Sequence, residues 1–168
     1  MQTKSKQPPW EVVFIAHALV AQTRTHCVKF RVGAVIAYMD SGMQQILSTG
    51  YNGPPRGVEH CDEVGCAKDA GSRCRGAHAE MNAIANAARA GIRIDGAWLF
   101  SSLSPCIECA KHIINAGIIK VVYLKQYATE GPKKEEAELA LKLLESQIEI
   151  EKFAGDLDLF FSNNQIIY

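Results

Sequence analysis

Long apolar runs are missing from this sequence. Stretches such as Val12-Val13-Phe14-Ile15-Ala16 and Val32-Gly33-Ala34-Val35-Ile36-Ala37 fall well short of the roughly 18 residues a helix needs to span a bilayer. The first ten residues, MQTKSKQPPW, carry basic side chains but no apolar segment ending in a small-residue cleavage site. No signal peptide is expected, and a cytoplasmic protein follows. Net charge is missing as well: 18 Lys and Arg balance 18 Asp and Glu. Without a domain-wide basic field, neither long nucleic acid nor a membrane is an expected partner. Internal repeats and low-complexity tracts are also lacking. What remains is 168 residues with 48% hydrophobic content, enough for one domain with its own core, so residues 1–168 are expected to form a single unit.

Six cysteines are present. In a chain with no export signal they point to metal binding or chemistry rather than to three disulfides. Their surroundings follow from hydrophobic periodicity. Trp10, Val13, Phe14, His17 and Ala21 recur at helical spacing behind Pro8-Pro9, so a helix is expected over 10–25. Val32–Tyr38 and Gln45–Tyr51, joined by Asp40-Ser41-Gly42, read as a hairpin. Residues 53–76 hold Pro54-Pro55, several glycines and three cysteines, which predicts an irregular insertion. Helices are then expected over 78–89, 106–116 and 132–146, and strands over 97–101, 118–124 and 148–151. Gly91 and Gly117 close the first two of these helices. A hairpin followed by strand and helix alternation implies a mixed sheet covered on both faces, an α/β layered domain.

Two fragments carry chemistry: His78-Ala79-Glu80 and Pro105-Cys106-Ile107-Glu108-Cys109, each opening a predicted helix. One imidazole and two thiolates make three zinc ligands and leave the fourth tetrahedral position to water, as in catalytic rather than structural zinc. At a helix start, free N–H groups and the helix dipole stabilise the Cys106 and Cys109 thiolates. Glu80, two residues past His78, is placed to carry protons without binding the metal. Alone, the C-x-x-C pair fits a structural knuckle or a redox dithiol equally well, but a redox pair leaves His78 and Glu80 unused. Together the fragments form the zinc-deaminase signature, in which activated water attacks the carbon bearing an exocyclic amine. Glu80 then moves a proton to the ring nitrogen and to the departing amine.

A wider set of segments carries a closer likeness: Val32-Gly33-Ala34-Val35, Gly50-Tyr51-Asn52-Gly53-Pro54-Pro55-Arg56-Gly57, His60-Cys61-Asp62-Glu63-Val64-Gly65-Cys66, His78-Ala79-Glu80-Met81-Asn82-Ala83-Ile84, Ser104-Pro105-Cys106-Ile107-Glu108-Cys109-Ala110-Lys111 and Asn115-Ala116-Gly117-Ile118. From about residue 10 to 152 the chain resembles the bacterial and phage-type deoxycytidylate (dCMP) deaminases. The resemblance implies a cytidine-deaminase-like α/β/α sandwich with a central five-stranded mixed sheet. It also implies hydrolysis of dCMP to dUMP and ammonia, which supplies dUMP for dTMP synthesis. A homo-oligomer, with a hexamer favoured, and regulation by dCTP as activator and dTTP as inhibitor with Mg²⁺ come with it. Asn52 matches an asparagine that binds the nucleotide in related deaminases, although Asn52-Gly53 is equally a turn signal. Arg31 and Arg56 are candidates for phosphate or effector contacts, or else ordinary surface charges. Tyr127 either stacks near the base or packs. The Ala79 N–H and the Ser104 carbonyl, beside the metal ligands, suit the pyrimidine edge.

Four cysteines remain. Ordering the insertion costs about 1–2 kcal/mol per residue, which metal binding would offset, and dCMP-type deaminases resemble this chain in carrying a second zinc near these positions. A structural site of Cys27, Cys61, Cys66 and Cys74 is expected, with His60 in reserve for Cys61; buried free thiols are the alternative. His17, His26 and His112 read as ordinary helix-face or helix-end residues. Among other functions, a tRNA adenosine deaminase shares the two zinc fragments, but the zero net charge and the acidic residues between Glu135 and Glu145 oppose a polyanionic substrate. Free-nucleoside cytidine deaminases resemble chains with cysteine where His78 stands. A nonenzymatic zinc-binding, nucleotide-sensing module is disfavoured by the intact Glu80.

Overall fold

A computed structural model describes residues 7–40 and 42–157. The N-terminal residues 1–6, the turn residue Ser41 and the end of the expected single domain from residue 158 lie outside the described residues. In chain order the elements are α1 (Trp10–Gln22), β1 (Gly33–Asp40), β2 (Met43–Tyr51), α2 (Cys61–Val64), α3 (Ala79–Ala90), β3 (Trp98–Leu103), α4 (Ile107–Asn115), β4 (Lys120–Lys125), α5 (Lys134–Glu145) and β5 (Glu149–Lys152). The strands form one sheet in the order β2-β1-β3-β4-β5. β1 runs antiparallel to β2 and β3, whereas β3, β4 and β5 are parallel. This is the expected five-stranded mixed sheet.

Side-chain alternation along the strands explains the layering. Ala34, Ile36, Leu99 and Val121 face one core, filled by Ala83 and Ala87 of α3, Ile113 of α4 and Leu144 of α5. Their neighbours Val35, Ala37, Phe100 and Val122 face the other core, filled by Phe14, Ile15 and Ala18 of α1. Because both faces are covered, the central strands read as nearly continuous apolar runs rather than as alternating ones. The expected irregular insertion contains one ordered turn, α2, whose start is held by a hydrogen bond from the His60 N–H to the Glu63 carboxylate at 3.1 Å. A four-residue helix is too short to leave a periodic trace in sequence. Among the described residues no helix is long and apolar enough to cross a membrane.

Two glycines set where the chemistry-bearing helix lies. Gly91 adopts the left-handed conformation, φ 67°, that stops α3. At Gly50 a Cβ would collide with the Ala79 carbonyl and the Ala83 amide, so only glycine lets the first turns of α3 lie directly on β2.

Candidate active site

His78 and Cys106 occupy equivalent places. Each is the N-cap of its helix, with extended backbone (φ −76°, ψ 159° and φ −79°, ψ 173°). Glu80 and Cys109 then fall within the first turns of α3 and α4. This brings His78 Nδ1 to 3.2 Å from Cys106 Sγ and 3.4 Å from Cys109 Sγ. Among the described residues this is the one group of three potential ligands whose atoms all lie within 4.8 Å of one another. Two soft sulfurs and one imidazole at this spacing fit zinc, which takes such ligands about 2.0–2.3 Å from a common centre.

The electrostatics follow from proximity and burial. The Cys106 thiol is pulled down to about 3, first by its hydrogen bond with Cys109 and then by His78. Cys109 is pushed up by the same hydrogen bond and by burial. The hydrogen bond with Cys106 raises the His78 imidazole. Glu80 is 4% exposed, and burial raises its carboxyl above the ordinary range, as suits a group that must both accept and give a proton near neutrality.

Residues 8–125 match the family model described as the cytidine and deoxycytidylate deaminase zinc-binding region. The chain belongs to this deaminase family. It is 35% identical over 148 residues to ComE operon protein 2 of Bacillus subtilis, covering 88% of this chain and 76% of that protein. It is 36% identical over 127 residues to the deoxycytidylate deaminase of Saccharomyces cerevisiae, covering 72% of this chain but only 39% of the yeast enzyme. Among solved structures, the dCMP deaminase of cyanophage S-TIM5 in complex with dCMP and dUMP superposes with a TM-score of 0.69 at 29% identity, covering 88% of this chain and 99% of that one.

In this deaminase a cavity of about 570 Å³, counting its open mouth, lies over His78, Glu80 and Cys106. Of the expected substrate contacts, Asn52, Ala79, Ser104 and Tyr127 line it. Asn52 is partly committed to the fold: its Oδ1 accepts from the Val32 N–H at 2.8 Å and its Nδ2 donates to the Phe30 carbonyl at 2.9 Å. One amide hydrogen is left over. The Ser104 hydroxyl accepts from the Tyr127 N–H at 2.9 Å, which ties Tyr127 to the end of β3. Arg31 is exposed and is not on the cavity wall. Arg56 lines a separate cavity together with His26, Tyr51 and His60.

Phe30, Leu103 and Lys68 also line the site, and none of them stands out in the sequence. Phe30 and Lys68 lie in segments without periodicity, and Leu103 lies just past the strand expected over 97–101. Cys74 reaches the cavity wall too. None of Cys27, Cys61, Cys66 and Cys74 forms a disulfide. Among the described residues no three of these side chains, His60 included, converge to metal-binding distance. His26, which read as an ordinary helix-end residue, hydrogen-bonds Asp62 at 2.6 Å and packs against His60, the ring centroids 4.3 Å apart and the planes tilted by 37°.

Proposed function

We propose that this chain hydrolyses dCMP to dUMP and ammonia. What carries the proposal is the buried Glu80 beside the His78, Cys106 and Cys109 group at the bottom of a cavity that opens to solvent. Likeness to deaminases named for dCMP supports the choice of base and sugar. Zinc held by those three side chains supplies the Lewis acidity that lets water act as a nucleophile at neutral pH. The protein does the rest. The Ala79 N–H at the first turn of α3 and the Ser104 carbonyl orient the pyrimidine edge, and Phe30 and Tyr127 flank the ring. Glu80 accepts a proton from the attacking water and delivers it to N3 of the base. It then carries a second proton to the exocyclic nitrogen, so that the C4–N bond breaks and ammonia leaves a keto product. Excluding bulk water around Glu80 keeps its proton affinity near that task.

The resemblance extends the proposal to a homo-oligomer regulated by dCTP and dTTP with Mg²⁺, feeding dUMP to dTMP synthesis. Arg56 is then the effector contact, supported by its place in a cavity separate from Glu80. A second zinc drawn from Cys27, Cys61, Cys66 and Cys74 also belongs to this reading. It is supported by the buried His60 Nδ1, which has no hydrogen-bond partner among the described residues, and by backbone N–H groups aimed at the Cys27 and Cys74 sulfurs, 3.5 and 3.4 Å away.

The deciding experiment is ammonia release by zinc-loaded protein from dCMP, deoxycytidine, cytidine, dCTP, guanine and a tRNA anticodon stem, with Glu80→Gln as control. Turnover led by dCMP and lost in the variant is expected. Turnover of the tRNA or of guanine in place of dCMP would overturn the proposal.

A further inference from the structure

We propose that Lys68 selects for a phosphate on the substrate, its ammonium holding the 5′-phosphate of a mononucleotide whose base lies against Glu80. This deepens the dCMP reading and rests on it. Among the described residues Lys68 is the one lysine or arginine on the wall of the Glu80 cavity. It is exposed while Glu80 is buried, which places its charge at the mouth, where a nucleotide with its base at the bottom projects its 5′ end. Phe30, Leu103 and Tyr127 on the wall around it are apolar or neutral, so among the described residues Lys68 is the lining cation that answers a phosphate of nearly two negative charges at neutral pH.

Local structure keeps that ammonium available. The neighbouring carboxylate, Asp69, is ion-paired with Lys29, and Lys68 itself makes no ion pair among the described residues. Lys68 also stands on an ordered turn: the Asp69 N–H donates to the Cys66 carbonyl at 3.0 Å, Gly71 N–H to Lys68 at 3.1 Å and Ser72 N–H to Ala67 at 2.9 Å. Arg31 is off the wall and Arg56 faces the second cavity. Lys133 lies behind the wall, 5.9 and 5.4 Å from the centres of the Phe30 and Tyr127 rings, and is engaged by donating to the Tyr127 hydroxyl at 2.8 Å.

The test compares zinc-loaded full-length protein with Lys68→Ala, Lys68→Arg and Arg31→Ala. Two quantities are measured: the ratio of kcat/KM for dCMP over deoxycytidine, and calorimetric Kd values for dUMP and deoxyuridine. Lys68→Ala is expected to lower the dCMP preference about 10- to 100-fold, chiefly through KM, and to weaken dUMP binding by a similar factor. Lys68→Arg recovers most of both. Equal loss for nucleotide and nucleoside, or a preference that disappears in Arg31→Ala and survives in Lys68→Ala, overturns the assignment. If the unaltered protein releases no ammonia from dCMP, the parent reading fails, and the paired Kd values still decide whether Lys68 reads the phosphate.

Discussion

In the proposed reaction Glu80 concentrates the proton transfers in a single carboxyl, and that role separates cleanly from those of its neighbours. Because it sits beside the ligand group without belonging to it, Glu80→Gln should lower kcat about 10²- to 10⁴-fold. Zinc content by elemental analysis and the unfolding midpoint should stay close to those of the unaltered protein. Asn52 makes the opposite case. Its amide satisfies the buried Val32 N–H and the Phe30 carbonyl, so Asn52→Ala should cost about 1–3 kcal/mol in urea unfolding, besides any loss of substrate binding. A purely ligand-facing asparagine would leave the unfolding midpoint unmoved. These two residues show what was legible in the sequence. His78, Glu80, Cys106 and Cys109 are readable because H-x-E and C-x-x-C place their chemistry within one helical turn, where local geometry decides. Asn52 is readable as a position but not as a clamp, because its partners lie 20 and 22 residues away. Phe30 and Lys68 reach the cavity only through the packing of aperiodic segments.

At the scale of elements, the active site is the meeting of two helix N-termini, and the sheet determines whether they meet. Gly50 is where β2 admits α3 at backbone contact. Gly50→Ala should therefore destabilise the fold by about 1–3 kcal/mol and also lower zinc occupancy, since moving α3 carries His78 away from Cys106 and Cys109. Unfolding and zinc titration of the same variant check the two together; a loss of stability with unchanged zinc affinity would mean that α3 shifts without its first turn. At the other edge of the sheet, β5 is short and relies on Lys120. The lysine Nζ lies 2.7 Å from Glu149, 2.8 Å from Glu151 and 4.3 Å from the centre of the Trp98 ring. Lys120→Ala leaves two carboxylates on one side of β5 repelling each other, a change of about 1 kcal/mol for carboxylates that, unlike the buried lysine, face solvent. Amide exchange across Glu149–Lys152 should accelerate about fivefold while exchange at β1 is unchanged. The strands were legible from apolar runs and glycine punctuation, because burial on both faces requires such runs. The turn α2 and the reach of β1 and β2 to residues 40 and 43 depend on hydrogen bonds that no periodicity reports.

For the whole molecule, the open question is what the four remaining cysteines do to the loop that carries Lys68. Residues 61–74 pack on the 26–32 segment through the Lys29–Asp69 and His26–Asp62 pairs, yet the sulfurs of Cys27, Cys61, Cys66 and Cys74 do not converge. Exposed ion pairs of this kind contribute little, because solvent screens them. Metal binding in small domains contributes on the order of 10–16 kcal/mol, more than enough to draw the loop inward. If a second zinc binds there, purified protein should hold two zinc per chain, Cys74→Ser about one, and Cys109→Ser also about one, by loss from the other site. Chelation should then make the 61–74 loop sensitive to protease while the sheet core stays resistant, and should weaken dUMP binding by releasing Lys68 from its turn. One zinc per chain in the unaltered protein, with Cys74→Ser indistinguishable from it, would instead mean that these thiols are free and that hydrogen bonds and ion pairs hold the loop.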